Sequence, residues 1–191
     1  MNNAAANRRH FDLMISGPAD ARGRSDMKTF TPKIRTAIEQ DFDQLCELFK
    51  ELDSFHVQAK PEFFRPVVGP AREHGFISNL ITGPESTILV ADDDSRQQLL
   101  GFATLIIHRI PENVVRPARI VMEIENIGVR ERMQRKGVGQ ALVTNAVEWA
   151  VERGIKKIEL SVHEFNVPAI GFYEALGFRT RLRRMSFDAN L

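Results

Sequence analysis

The sequence predicts a mixed α/β domain built on a single sheet, and three observations carry that prediction. Segments of β-like composition alternate with segments whose apolar residues recur at helical spacing. The middle of the chain reads as strand, helix, strand. Toward the edges, consecutive strands are separated by short polar turns, the mark of antiparallel hairpins.

Taken in order, Met1 to about Lys28 is rich in Asn, Ala, Gly, Arg, Ser and Asp, with Phe11-Asp-Leu-Met-Ile15 as its one apolar island. It reads as a flexible tail (1–28), leaving 29–191 as the domain. Lys33-Ile-Arg-Thr-Ala37 is strand-like, and Glu39 to Leu52 carries Phe42, Leu45, Cys46, Leu48, Phe49 and Leu52 at helical spacing. Asp53 to Pro70, with three prolines, is expected to be a short helix or an ordered loop. Glu73 to Ile81 predicts a helix ended by Thr82-Gly-Pro84, and Thr87-Ile-Leu-Val-Ala91 predicts a strand. The polar turn Asp92-Asp-Asp-Ser-Arg96 then joins it to a longer strand, Leu99 to Ile110, as a hairpin.

Arg119 to Val129 is strongly β-like, and Gly137 to Arg153 is helical, with Val138, Ala141, Leu142, Ala146, Trp149 and Ala150 on one face and Gly154 placed as its C-cap. Lys156 to Val162 predicts a strand, Val167 to Ala175 a short helix, and Phe178 to Phe187 a last strand.

Composition narrows the classes of function. At 43% hydrophobic and 27% charged, 191 residues suffice for a packed core. Twenty-six Lys and Arg against 25 Asp and Glu leave a net charge of +1, so no bulk field draws the molecule to nucleic acid or an anionic membrane. The single cysteine, Cys46, excludes an intramolecular disulfide and suits a reducing compartment; a soluble, cytoplasmic protein is expected. The five histidines show no paired spacing, so no metal site is expected.

The chemistry concentrates in Arg119-Ile-Val-Met-Glu-Ile-Glu-Asn-Ile-Gly-Val129 and the following Arg-Glu-Arg-Met-Gln-Arg-Lys-Gly-Val-Gly139. A strand, a basic glycine loop and a helix together describe a phosphate cradle. Glycines admit close approach of an anion, and the first helical turn presents unpaired N–H groups at the positive end of the dipole. Arg130, Arg132, Arg135 and Lys136 flank that point. Each dipole contact supplies about 0.3–2 kcal/mol, so the ligand must be larger than a lone phosphate. A Walker loop needs Gly-Lys-Ser/Thr, but Gly139 is followed by Gln140 and Ala141; a dinucleotide fingerprint needs a small residue where Leu142 stands.

Gln134-x-x-Gly137-x-Gly139 instead resembles the loop of the GNAT superfamily of acetyl-CoA-dependent N-acetyltransferases. Asn166-Val-Pro-Ala-Ile-Gly-Phe172-Tyr173-Glu-Ala-Leu-Gly177-Phe178 is similar to the second motif of that family, and the resemblance extends over most of Lys33 to Phe187. It implies a six- to seven-stranded, mixed and mostly antiparallel sheet flanked by helices, with the fourth and fifth strands splayed around pantetheine. Gly128 is then expected at the bulge that such splaying needs, although a glycine can also serve close packing. Acetyl-CoA is implied as cosubstrate, held by Ile127, Gly128, Val129, Gln134, Arg135, Lys136, Gly137, Val138, Gly139, Gln140, Asn166 and Phe172.

An alkylammonium, with a free pKa of about 10.4, has no lone pair with which to attack a thioester, so something must take its proton. Glu123 and Glu125 share a strand face unless a bulge intervenes, and either could act directly or through water. Glu123 matches the strand position of the catalytic glutamate in histone-type members of the family, and Glu125 the Ile-Glu-Asn pattern of many small-molecule members. A backbone N–H within Ile127 to Val129 would stabilise charge on the thioester oxygen. Tyr173, the only tyrosine, stands where family members commonly place the general acid. Asn166 either caps the helix that follows or contacts the cofactor. His56 and His108 are expected to be structural, with reach into an acceptor pocket as the alternative, and Trp149 to lie in the core, with a binding platform as the alternative.

The expected activity is direct acetyl transfer to a primary amine in a ternary complex, with a noncatalytic acyl-CoA-binding or sensor module as the alternative. The acceptor is a small-molecule or peptide amine; no nucleic acid and no membrane partner are expected, and a homodimer is the default. Asp53 to Ile81 and Pro111 to Ala118 are expected to frame the acceptor pocket without identifying the amine.

Overall fold

The computed structural model describes residues 32–93 and 97–187, and the expected tail 1–28 lies outside them. The described residues form two compact units, 32–161 and 162–187.

The larger unit is a five-stranded sheet in the order β1 (Lys33–Thr36), β2 (Ser86–Asp93), β3 (Gln98–Ile110), β4 (Arg119–Val129), β5 (Ile158–Leu160). The first four pair antiparallel, and β5 joins β4 in parallel. Helix α1 (Phe42–Ala59) follows β1 through a 3-10 turn at Glu39–Asp41, α2 (His74–Thr82) leads into β2, and α3 (Val138–Glu152) connects β4 to β5. The sheet is therefore the expected mixed α/β type, with the expected β2–β3 hairpin.

Sheet pleat decides which helix meets which face. The ring of Phe102, an even-numbered residue of β3, packs 4.3 Å from that of Phe49 of α1, tilted by 52°, and Leu45, Leu48, Ile77, Leu80, Ile88 and Val90 join that core. On the opposite face a side chain at Gly101 would meet Leu142 of α3 at 3.3 Å. That face is closed by Leu142, Val143, Ala146 and Ala150. Each helix thus buries an apolar stripe against one side of the sheet.

Local chemistry sets the ends. The β1–α1 corner is held by Arg35, which donates to Asp41 at 2.7 and 2.9 Å and to Asp92 at 2.7 Å, while Asp41 also accepts the Ile38 amide at 2.9 Å. Helix α3 ends in a Schellman motif, as Gly154 predicts: Gly154 N–H donates to Val151 O and Ile155 N–H to Ala150 O, both at 2.9 Å, with Gly154 at φ +71°.

Two expectations change. Helix α1 runs to Ala59 instead of stopping near Leu52, because no proline interrupts the chain before Pro61. Phe178 to Phe187 carries no strand pairing among the described residues, so five strands form where six or seven were expected. Its apolar residues Leu182, Met185 and Phe187 are exposed, and without a ladder partner their β-like pattern forms no strand.

The smaller unit holds α4 (Val167–Ala175). Asn166 accepts the Ala169 amide at 3.2 Å, and the helix ends in a second Schellman motif with Gly177 at φ +89°: Gly177 N–H donates to Glu174 O and Phe178 N–H to Tyr173 O, both at 3.0 Å. The accompanying apolar contact is the Tyr173–Phe178 ring pair, 5.8 Å apart.

Candidate active site

Strand β4 has two different edges. Against β3 it is paired along its whole length, whereas against β5 it is paired only from Met122 to Ile124. Beyond Ile124, β4 runs on to Val129 with that edge open among the described strands. Asn126 and Arg130 direct their amides toward β3, to Thr104 Oγ1 and to Leu100 O, both at 2.9 Å. Strand alternation therefore turns the amides of Ile127 and Val129 to the open edge.

The register shifts where the edge opens. Thr104 faces Asn126 while Leu105 faces Ile124, so Glu125 is the extra residue of a β-bulge. Gly128, expected at the bulge, serves close packing instead: a Cβ there would lie 2.6 Å from Phe102 Cε1, in the ring that builds the α1-side core. Thr104, fully buried, holds the bulge through its hydroxyl, which accepts both Asn126 N–H at 2.9 Å and Asn126 Nδ2 at 3.1 Å.

The two candidate bases differ in their surroundings. Glu123 is half-buried on the α1-side face, with Oε2 2.9 Å from His108 Nε2. Glu125 is exposed and accepts from Asn126 Nδ2 at 3.3 Å.

After β4 the chain makes a 3-10 turn at Glu131–Met133, then passes through Arg135 at φ +59° and Gly137 at φ +84° into α3. Gly137 is the N-cap and brings no capping side chain; the amides of Val138, Gly139 and Gln140 have no acceptor among the described residues. Open space lies where a Gly137 side chain would stand. An uncapped first turn with three free donors fits a diphosphate. Gln134, Arg135, Lys136, Gly137 and Gln140 are exposed beside it, and Val138 is buried as an anchor.

Of the basic residues expected around the loop, Arg135 and Lys136 are exposed, but Arg130 points away. It is buried, donating to Leu99 O, Glu51 and Glu47 at 2.8 Å each, and so ties the end of β4 to α1. Arg132 donates to Gln98. Sequence spacing showed the basic run; only the fold shows that its first member is an internal strut.

In the smaller unit, Tyr173 is 8% exposed and lies 5.2 Å from the Phe172 ring. Burial pushes its hydroxyl up to about 12, so it is neutral across ordinary pH. Asn166 takes the capping role that its residue type favours.

Two features were missed in the sequence. Thr104 lies inside an apolar run with nothing local to mark it, and His108 gains a partner only from the β3–β4 register. At the far end of that hairpin, an open depression of about 490 Å³ is lined by Arg109, Ile110, Pro111, Ala118, Arg119 and Ile120. Among the described residues no helix is long and apolar enough to cross a membrane, and no cluster of His, Cys, Asp or Glu could hold a metal ion.

The chain is similar to L-ornithine N5-acetyltransferase of Arabidopsis thaliana, at 41% identity over 70 residues, or 35% of this chain and 31% of that protein. It is also similar to glucosamine 6-phosphate N-acetyltransferase of Trypanosoma brucei brucei, at 33% over 91 residues, 48% of this chain and 58% of that one. The chain thus spans less than two-thirds of either relative. The fold matches a crystallised Bacillus halodurans protein, BH1408, with a TM-score of 0.78 at 24% identity, covering 82% of this chain and 98% of that one. Residues 43–178 match the acetyltransferase (GNAT) family, a span that takes in the open-edged strand, the uncapped helix and the Asn166–Phe178 motif. On that match the chain belongs to the GNAT acetyltransferase family.

Proposed function

We propose that the protein transfers an acetyl group from acetyl-CoA to a primary amine by direct attack in a ternary complex. The observation that carries this reading is the coincidence of the open β4 edge with the uncapped N-terminus of α3, which the same strand leads into. The relatives act on L-ornithine and on glucosamine 6-phosphate, both of which offer a primary amine.

Acetyl-CoA supplies the activated acetyl group as a thioester. The amides of Val138, Gly139 and Gln140, with Gln134, Arg135 and Lys136, bind the diphosphate, while Ile127, Gly128 and Val129 align the acyl arm along the open edge. Asn166 is taken up as the cap of α4, and by the resemblance of its motif Phe172 would add to the cofactor contacts. Glu123 or Glu125 removes a proton from the ammonium, the freed lone pair forms the C–N bond as the C–S bond breaks, and the nitrogen sheds its second proton to solvent as the amide forms. The Ile127 amide stabilises charge developing on the carbonyl oxygen.

Tyr173 donates a hydrogen bond to the departing sulfur. Complete transfer from a phenol near 12 to a thiol whose free value is about 8.5 is uphill by about 5 kcal/mol, so its part is to shield the thiolate, and the thiol takes its final proton from solvent. Cys46, with its Sγ directed to Arg72 O at 3.6 Å, is given no covalent role.

The experiment is a thiol-release screen with acetyl-CoA against a broad amine library, with mass measurement of each product. An acetylated primary amine supports the assignment. Binding of acetyl-CoA with no amine-stimulated release across the library would favour the noncatalytic alternative.

A further inference from the structure

Glu123 does not stand alone on its face. Ile106 of β3 lies opposite it and Val121 lies opposite His108, so His108 and Glu123 are diagonal neighbours on one side of the antiparallel pair. Their side chains meet with Nε2 2.9 Å from Oε2, and both stay accessible, at 44% and 33% exposed. On the other flank, Glu159 of β5 is in register with Glu123, and Lys157 Nζ lies 3.9 Å from Glu159. A carboxylate between a second carboxylate and an imidazole has reason to turn one oxygen toward the imidazole.

We infer that His108 is a positioning residue for acetyl transfer: its Nε2–H donates to Oε2 of Glu123, fixing the carboxylate so that Oε1 receives the amine proton. The inference rests on the acetyltransferase reading and selects Glu123 over Glu125 as base. The bulge gives a geometric reason for that choice. Glu123 sits within the regular ladder beside the last paired residues of β5, whereas Glu125 is the unpaired residue of the bulge and its carboxylate accepts from Asn126. The proton balance is simple. Two protons leave the nitrogen: the first passes from the ammonium to Oε1 of Glu123 before attack, the second goes to solvent as the amide forms, His108 keeps its own, and Glu123 returns its proton to solvent after product leaves.

The test is a double-mutant cycle on kcat with an amine found in the screen, using H108A, H108Q, E123Q and the H108A/E123Q pair, with folding checked by circular dichroism and acetyl-CoA affinity by titration. H108A is expected to lower kcat about tenfold at unchanged acetyl-CoA affinity, H108Q to recover most of it by keeping a donor, and H108A to add nothing once E123Q is present. Multiplicative losses in the pair, or an H108Q as impaired as H108A, would overturn the positioning role while leaving Glu123 as base. Full activity in E123Q would overturn both assignments and shift the base to Glu125. Failure of every variant and of the wild type to acetylate any amine would instead strike the acetyltransferase reading itself. Should H108A not fold, H108L, which removes the donor but keeps bulk, takes its place in the same cycle with the same outcomes.

Discussion

Thr104 Oγ1 accepts the amide of Asn126 at 2.9 Å in place of a backbone carbonyl, and at that rung β4 gains the extra residue Glu125. The bulge is thus specified from the neighbouring strand. Replacing Thr104 with Val keeps the shape but removes the acceptor of two half-buried donors. T104V should lose about 1–3 kcal/mol of stability in urea unfolding and weaken acetyl-CoA binding, because the amides beyond the bulge shift with it. Unchanged stability and affinity would show that the bulge is held by other means.

The glycines of the loop act differently. Gly137 adopts φ +84°, where a Cβ costs about 1–2 kcal/mol whatever space surrounds it. G137V should therefore cost about 1–2 kcal/mol of stability and, by turning the first-turn amides out of line, lower acetyl-CoA affinity about tenfold or more. Calorimetric titration of the folded variant provides the check, and wild-type affinity would argue against a diphosphate at this turn.

The single tyrosine makes its own ionisation directly visible. The near-ultraviolet phenolate absorbance should titrate near 12, not at the ordinary value of 10.0, as long as the protein stays folded. The folded state binds more protons than the unfolded state between those values. Stability is therefore unaffected below the unfolded value and falls, by up to about 2–3 kcal/mol, as pH rises from there through the folded value. Y173F should remove this alkaline loss and lower kcat on the order of a hundredfold with little change in acetyl-CoA affinity. A midpoint near 10 in the folded protein would contradict the burial.

At the acid end, Asp41 works in the opposite direction. Burial alone would raise its carboxyl, but hydrogen bonds from Arg35 and the Ile38 amide, together with the Arg35 charge, hold it below the ordinary value. Its stabilisation is present above the unfolded value of about 3.9 and is lost as pH falls through the folded one. D41N should be less stable at neutral pH by about 1–3 kcal/mol, and the gap from wild type should narrow in acid-unfolding curves below pH about 4. A constant gap across pH would rule out this ion pair as its source.

What the sequence made legible is what local chemistry decides. Strand β4 and helix α4 occupy the predicted Arg119–Val129 and Val167–Ala175, because a prolyl connection, an asparagine cap and a Gly-Phe stop mark their ends. The uncapped glycine turn before α3 was legible for the same reason. The position of the bulge was not, because Thr104 and Asn126 are 22 residues apart and only the β3–β4 register joins them. Arg130 reads as one more loop cation until α1 folds across it and supplies Glu47 and Glu51. The Phe178–Phe187 segment shows the converse, since alternation without a partner makes no ladder.

The most direct measurement follows backbone amide resonances in nitrogen–proton correlation spectra while acetyl-CoA is added. The amides of Ile127, Val129, Val138, Gly139 and Gln140 should shift together and saturate at one ligand concentration. Saturable shifts elsewhere in the protein, with these five unmoved, would contradict the claim that the open strand edge and the uncapped helix form one thioester-binding site.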